Sequence, residues 1–169
     1  KTKDLNAFDF GDLILFCVKL FEEHKDIREL YQKNFKYILV DEFQDTNFIQ
    51  NKWLNLLVNE KKNICCVGDD DQSIYSWRGA EIKNFLTFDK IYNNCRVFKL
   101  EQNYRSTKNI LETASMLISN NSNRVGKKLW SSASQGETVK LNCYKSGKEE
   151  AQGISDIIEH NLKKKYSLN

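Results

Sequence analysis

Asp41 and Glu42 are adjacent in Val40-Asp41-Glu42-Phe43-Gln44-Asp45-Thr46, where they close a short apolar run. A second acidic turn follows in Gly68-Asp69-Asp70-Asp71-Gln72-Ser73-Ile74-Tyr75-Ser76-Trp77-Arg78-Gly79-Ala80. Two neighbouring carboxylates can divide labour: one holds a hydrated Mg²⁺, directly or through water, while the other polarises a water aimed at a terminal phosphate. Gln72 adds a neutral amide that can donate to a phosphate oxygen and accept from water without adding charge. Beyond it, Tyr75, Trp77 and Arg78 combine aromatic faces with a guanidinium, which suits sequence-blind stacking on single-stranded bases at about 1–3 kcal/mol per base. The combination points to metal–phosphate chemistry beside a nucleic-acid track. Each part alone has a plainer reading: solvated charges at a strand end, a surface glutamine, an aromatic pair packed in a loop. No Gly-x-x-x-x-Gly-Lys-Ser/Thr loop occurs in these residues, so the phosphate-cradling half of a nucleotide site is missing from them.

These groups need strands and helices to hold them. Tyr37-Ile38-Leu39-Val40 reads as a strand buried on both faces and ended by Asp41; Thr46 or Asn47 can start a helix with Ile49, Trp53, Leu56 and Leu57 on one side. The unit repeats as Ile64 to Val67, closed by Gly68-Asp69, then a helix around Ile82, Phe85 and Leu86. A third strand is expected from Arg96 to Leu100, before Glu101-Gln102-Asn103-Tyr104-Arg105-Ser106 and a helix from about Lys108 to Leu117. Asp9 can cap an earlier helix with Leu13, Ile14, Cys17, Leu20 and Phe21 on its apolar face. The polar stretch from Asn120 to Gly136 reads as a loop or linker, with Lys127 and Lys128 as a solvated pair. Val139, Leu141 and Cys143 alternate as a strand should, and Ala151, Ile154, Ile158 and Leu162 mark a last amphipathic helix. Strand and helix alternation predicts an α/β fold with a parallel sheet and polar groups at the carboxyl ends of its strands, where such sheets place ligands.

Composition narrows the function classes. A hydrophobic content of 40% in 169 residues supports a real core, and a net charge of +3 permits an anionic partner without demanding one. The five cysteines form no Cys-x-x-Cys pair, and neither His24 nor His160 has ligand spacing to them, which argues against zinc and for reduced, packed thiols in a cytoplasmic protein. No run approaches the roughly 20 apolar residues of a membrane span, so no membrane partner is expected. The chain starts at Lys1 and ends at Asn169 with no folding logic at either edge, and both ends read as cuts through a longer polypeptide.

The strings at Asp41-Glu42, Gly68 to Ala80 and Leu100 to Ser106, in that order and spacing, resemble the motor core of UvrD/Rep/PcrA-type superfamily 1 DNA helicases. The likeness begins at Asp9-Phe10-Gly11-Asp12-Leu13 and reaches the Lys148-Glu149-Glu150-Ala151 helix. It implies Asp41 as the magnesium carboxylate of a Walker B element, Glu42 as the base that orients or deprotonates water, and Gln72 as the γ-phosphate sensor. It implies Arg105 as an arginine reaching the γ-phosphate from a second motor domain and Tyr104 as the residue stacking on adenine. Tyr75 and Trp77 then contact single-stranded DNA, and Arg78 links that contact to the nucleotide cleft. The implied fold is a pair of RecA-like parallel-sheet domains, with residues 1–95 the later part of the first and 96–169 the start of the second. Trp130 falls in a matching string to which no chemistry is assigned, and Trp53 is a core residue.

The resemblance implies an ATP- and Mg²⁺-dependent 3′–5′ helicase acting on single strands and single-strand/duplex junctions in DNA repair or replication, together with the remaining motor segments. Without the Walker A lysine and backbone cradle, these residues alone are expected not to hydrolyse ATP. The competing reading is a non-catalytic helicase remnant or single-strand-binding module. Asp41, Glu42, Gln72 and Arg105 together count against it, since binding alone has no use for that set.

Overall fold

The computed structural model describes residues 6–92, 94–122 and 124–163. Helix α1 (Phe10–Glu23) starts at Asp9, whose carboxylate accepts from the Asp12 N–H at 2.8 Å while the Asp12 carboxylate accepts from the Asp9 N–H at 3.3 Å. This reciprocal capping box satisfies two otherwise orphaned donors. The inward line of α1 is half-buried Ile14 with buried Val18 and Phe21, whereas Leu13, Cys17 and Leu20 are exposed. The expected apolar face is thus turned by about one residue, because α1 packs against both α2 and α3.

Helix α2 (Lys25–Asn34) was not legible from apolar periodicity, since seven of its ten residues are charged or amide-bearing in Lys-Asp-Ile-Arg-Glu-Leu-Tyr-Gln-Lys-Asn. Tertiary bonds hold it instead: Arg28 donates to the Phe21 carbonyl at 3.1 Å, and Gln32 donates to the Leu56 carbonyl at 2.7 Å. Those contacts tie α2 to the ends of α1 and α3.

Strands β1 (Ile38–Val40) and β2 (Ile64–Cys66) pair in parallel, with Ile38 opposite Ile64, Leu39 opposite Cys65 and Val40 opposite Cys66. A parallel pair requires a crossover, and α3 (Phe48–Leu57) supplies it, capped by Asn47 in a second capping box with Gln50. Trp53 is half-buried on α3, as core packing requires. The expectation of strands buried on both faces is corrected: Ile38, Val40, Ile64 and Cys66 are half-buried, but Leu39 is 79% exposed and Cys65 is exposed with it. Side chains alternate across a strand, and among the described residues only one face of this sheet is covered. Burial, with neighbouring Cys65 and Cys95 adding to it, pushes the Cys66 thiol up to about 12, so it stays protonated and inert.

Helices α4 (Ile82–Leu86) and α5 (Phe88–Ile91) place Phe85 and Phe88 against Phe43, with ring centroids 6.5 and 5.4 Å from it. Helices α6 (Lys108–Ile118) and α7 (Gly147–Lys163) appear where the periodicity predicts them. Arg96 to Leu100 and Val139 to Cys143 do not form the expected strands. A strand exists only as part of a ladder, and no strand pairs with either segment among the described residues. A parallel bridge between Gln102 and Trp130 helps join the two stretches flanking α6. No helix among the described residues is long and apolar enough to cross a membrane.

Candidate functional site

The first acidic turn is built by the end of β1. Glu42 adopts a left-handed backbone, φ 49°, a conformation that costs a non-glycine residue on the order of 1–3 kcal/mol and persists only where surrounding contacts impose it. Here the imposing contacts are visible. The Asp41 carboxylate accepts from the Glu42 N–H at 2.9 Å, the Phe43 N–H donates to the Val67 carbonyl at 3.0 Å, and the Val67 N–H donates to the Val40 carbonyl at 2.8 Å. Buried Phe43 anchors the turn from below, leaving Asp41 and Glu42 exposed at the carboxyl end of the sheet.

Gln44 joins the two acidic turns. It is 1% exposed; its Nε2 donates to Glu42 Oε2 at 2.8 Å, and its Oε1 accepts from the Asp69 N–H at 3.0 Å. Asp69 in turn accepts from Gln72 Nε2 at 2.7 Å and from the Asp71 N–H at 2.9 Å. A continuous path of hydrogen bonds therefore runs Glu42, Gln44, Asp69, Gln72. Gly68 makes the close approach of the turns possible, since a Cβ there would lie 2.5 Å from Gln44 Oε1 and 2.9 Å from the Phe85 ring.

The acidic turn is covered by the stretch read from sequence as a linker. Arg124 forms a two-pronged pair with Asp71, Nε to Oδ1 at 2.8 Å and Nη2 to Oδ2 at 2.5 Å. The Val125 N–H donates to Asp70 Oδ2 at 2.6 Å, and Lys127 Nζ donates to Asp69 Oδ1 while lying 3.6 Å from Asp71 Oδ2. Lys127 is therefore not the solvated lysine expected: its side chain is 17% exposed. Lys128 stays exposed, its backbone N–H bonded to Glu101. Burial raises the Asp69 carboxyl, but hydrogen bonds from Lys127 and Gln72, with the Lys127 charge, outweigh it and hold the group below its ordinary value. The three aspartates lie close enough together to share a cation, yet Arg124, Lys127 and a backbone N–H already meet their charge.

Tyr75, Trp77 and Arg78 come together as one surface. The two rings lie 6.4 Å apart, and the Arg78 guanidinium sits 5.5 Å from Tyr75 and 5.1 Å from Trp77. Trp77 is 76% exposed, so this pair is not a buried loop core but an open aromatic platform. Tyr104 is 83% exposed and bonds Gln102 through its hydroxyl, while Asn103 accepts from the N–H groups of Arg105 and Ser106 at 3.0 and 2.8 Å. Ser131 and Trp130 brace that turn through the Ser106 carbonyl and the Asn103 N–H. No hydrogen bond or ion pair links Tyr104 or Arg105 to Asp41, Glu42 or Gln72 among the described residues.

Sequence reasoning missed Gln44, Arg124 and the partner of Lys127. Gln44 stood inside the quoted string, but nothing local says that a glutamine after Asp-Glu-Phe is buried. The Arg124 to Asp71 contact spans 53 residues, beyond the reach of any local pattern.

The structure thus sets two acidic turns at the carboxyl end of a parallel strand pair, where such sheets place ligands, with an aromatic–arginine surface on the stretch that follows. The chain belongs to the UvrD-like helicase family: residues 1–93 match the UvrD/REP helicase N-terminal domain and residues 98–169 the UvrD-like helicase C-terminal domain. It is 51% identical over 154 residues to a probable DNA helicase II homolog of Rickettsia conorii, covering 91% of this chain and 24% of that protein. It is 47% identical over 163 residues to the ATP-dependent DNA helicase PcrA of Staphylococcus epidermidis, covering 95% of this chain and 22% of that protein. Against PcrA of Bacillus subtilis it is 48% identical over 147 residues, 87% of this chain and 20% of the relative. The chain thus spans about a quarter or less of the length of these relatives.

Proposed function

We propose that these residues form the internal part of an ATP-dependent DNA helicase motor that couples ATP hydrolysis to 3′–5′ movement on single strands. The later part of a first RecA-like domain runs to about Cys95, and the start of a second follows it. The observation that carries this reading is the hydrogen-bonded path from Glu42 through Gln44 and Asp69 to Gln72, three residues short of the Tyr75-Trp77-Arg78 platform. In this reading the path ties Glu42 to the turn that leads into the platform.

The residues fit the groups this reading requires. Asp41 presents an exposed, hard carboxylate of which one oxygen is engaged by the Glu42 N–H, a donor suited to Mg²⁺. A bound Mg²⁺ would neutralise charge on the ATP phosphates. In this reading Glu42, whose side chain accepts from Gln44, takes a proton from water; Gln72 senses the terminal phosphate; Arg105 supplies a planar guanidinium for the phosphoryl charge; and Tyr104 offers an exposed ring to the base. Movement that brings Tyr104 and Arg105 toward Glu42 and Gln72 would carry the state of the cleft to Tyr75, Trp77 and Arg78.

A second reading, a remnant or single-strand-binding module without turnover, requires that the complete natural reading frame lack a Gly-Lys-Ser/Thr loop. The motor reading requires binding of single-stranded DNA. With an oligothymidylate probe in fluorescence anisotropy, Trp77→Ala is expected to weaken binding by the worth of one stacked base, about 1–3 kcal/mol or roughly 5- to 150-fold. Unchanged affinity would remove the platform from the DNA track.

A further inference from the structure

The contacts made by Arg124, Val125 and Lys127 fall on the turn that carries Gln72, and none of them belongs to the motifs from which the site was read. Asp69 stands at the junction. One oxygen accepts from Gln72 Nε2 and the other from Lys127 Nζ, while its backbone N–H is held by Gln44. Asp71 is gripped on both oxygens by Arg124, and the Asp70 carboxylate by the Val125 N–H. These side chains are mostly buried, 14–24% exposed, so solvent does little to screen them. The stretch that delivers the two cations is itself fixed to the segment leading into Arg105. Lys99 Nζ donates to the Gly126 carbonyl at 2.6 Å, the Lys128 N–H to Glu101 Oε1 at 2.9 Å, and the Asn103 N–H to the Trp130 carbonyl at 2.8 Å. Any displacement of the Tyr104-Arg105 turn relative to β1 and β2 must therefore either pull on the Asp69–Asp71 turn or break these ion pairs.

We propose that Arg124 and Lys127 are positioning residues that set the Gln72 amide through Asp69 and Asp71, making the acidic turn the joint by which the second half of the chain controls the phosphate sensor. The proposal rests on the helicase-motor reading above. With Lys127 in place, Asp69 keeps one oxygen for Gln72, and the amide has a single defined station. With Lys127 removed, Oδ1 is held by the Asp71 N–H alone and the ion pair that fixes the carboxylate is lost, so the station of the amide loosens although Gln72 itself is untouched.

The test is ATP turnover by the complete natural reading frame carrying these residues, with and without oligothymidylate, for wild type, Lys127→Ala, Gln72→Ala and the double variant. Expected is a loss of about tenfold in DNA-stimulated kcat for Lys127→Ala with KM for ATP within twofold, no added loss when it is combined with Gln72→Ala, and recovery in Lys127→Arg. A charge swap gives an independent reading: Arg124→Asp and Asp71→Arg each lose stimulation, and together they regain it. Should Lys127→Ala fail to fold, the swap decides alone, recovery supporting the assignment and no recovery overturning it. Wild-type stimulation in Lys127→Ala, or losses that multiply with Gln72→Ala, would overturn the positioning role while leaving the motor intact. A wild type without turnover would overturn the motor reading and this role with it.

Discussion

Gln44 is a neutral side chain among carboxylates, and its neutrality explains its use. It is buried between Glu42 and the Asp69 backbone, where a charged residue would either repel Glu42 or neutralise it; an amide donates to one and accepts from the other. Removing both bonds without changing volume isolates their worth. In Gln44→Met the half-buried Asp69 N–H loses its acceptor, and the unfolding free energy, read by urea denaturation, is expected to fall by about 1–3 kcal/mol. A change within a few tenths would show that the bonds contribute nothing to the fold. The left-handed Glu42 belongs to the same scale: its strain is offset by the bonds of Asp41, Phe43 and Gln44, so the proposed base keeps a fixed backbone.

At the scale of elements, two strand-to-turn units must meet closely enough for one glutamine to span them, and Gly68 sets that distance. Gly68→Ala puts a methyl against Gln44 Oε1 and the Phe85 ring, an overpacking expected to cost about 1–3 kcal/mol in the same urea measurement. Wild-type stability would mean that α4 yields without cost. Elements with local signals were legible in the chain. Asp9 and Asn47 announced their helices by side-chain capping, and α7 by apolar spacing. What failed depended on distant partners. Arg96 to Leu100 has strand composition but no ladder, Leu39 has a core residue's chemistry but an uncovered face, and α2 is held by bonds from Arg28 and Gln32 rather than by a stripe. The candidate site divided the same way. Asp41, Glu42, Gln72 and the aromatic platform could be named from their types and order, whereas Arg124 could not, because its meaning lies 53 residues away.

Across the whole molecule the two halves are joined by charge, which gives the junction a pH dependence with a definite sign. The folded Asp69 carboxyl lies below the ordinary value of 3.8, so its pairing contributes fully above about pH 4 and is lost as the pH falls through the lower folded value. Stability followed by urea denaturation from pH 6 to pH 2.5 should drop more steeply for wild type than for Asp69→Asn; parallel curves would show that the pair carries no linkage. The proposed motor belongs to the same scale, because in that reading hydrolysis needs groups from both halves and a phosphate cradle that these residues do not contain. The most direct measurement is ATP hydrolysis by the complete natural reading frame, with and without single-stranded DNA, in wild type and Glu42→Gln. DNA-stimulated turnover that falls by about 10²- to 10⁴-fold in the variant is expected of a general base at Glu42. Turnover that survives the substitution, or a wild type with none, would contradict it.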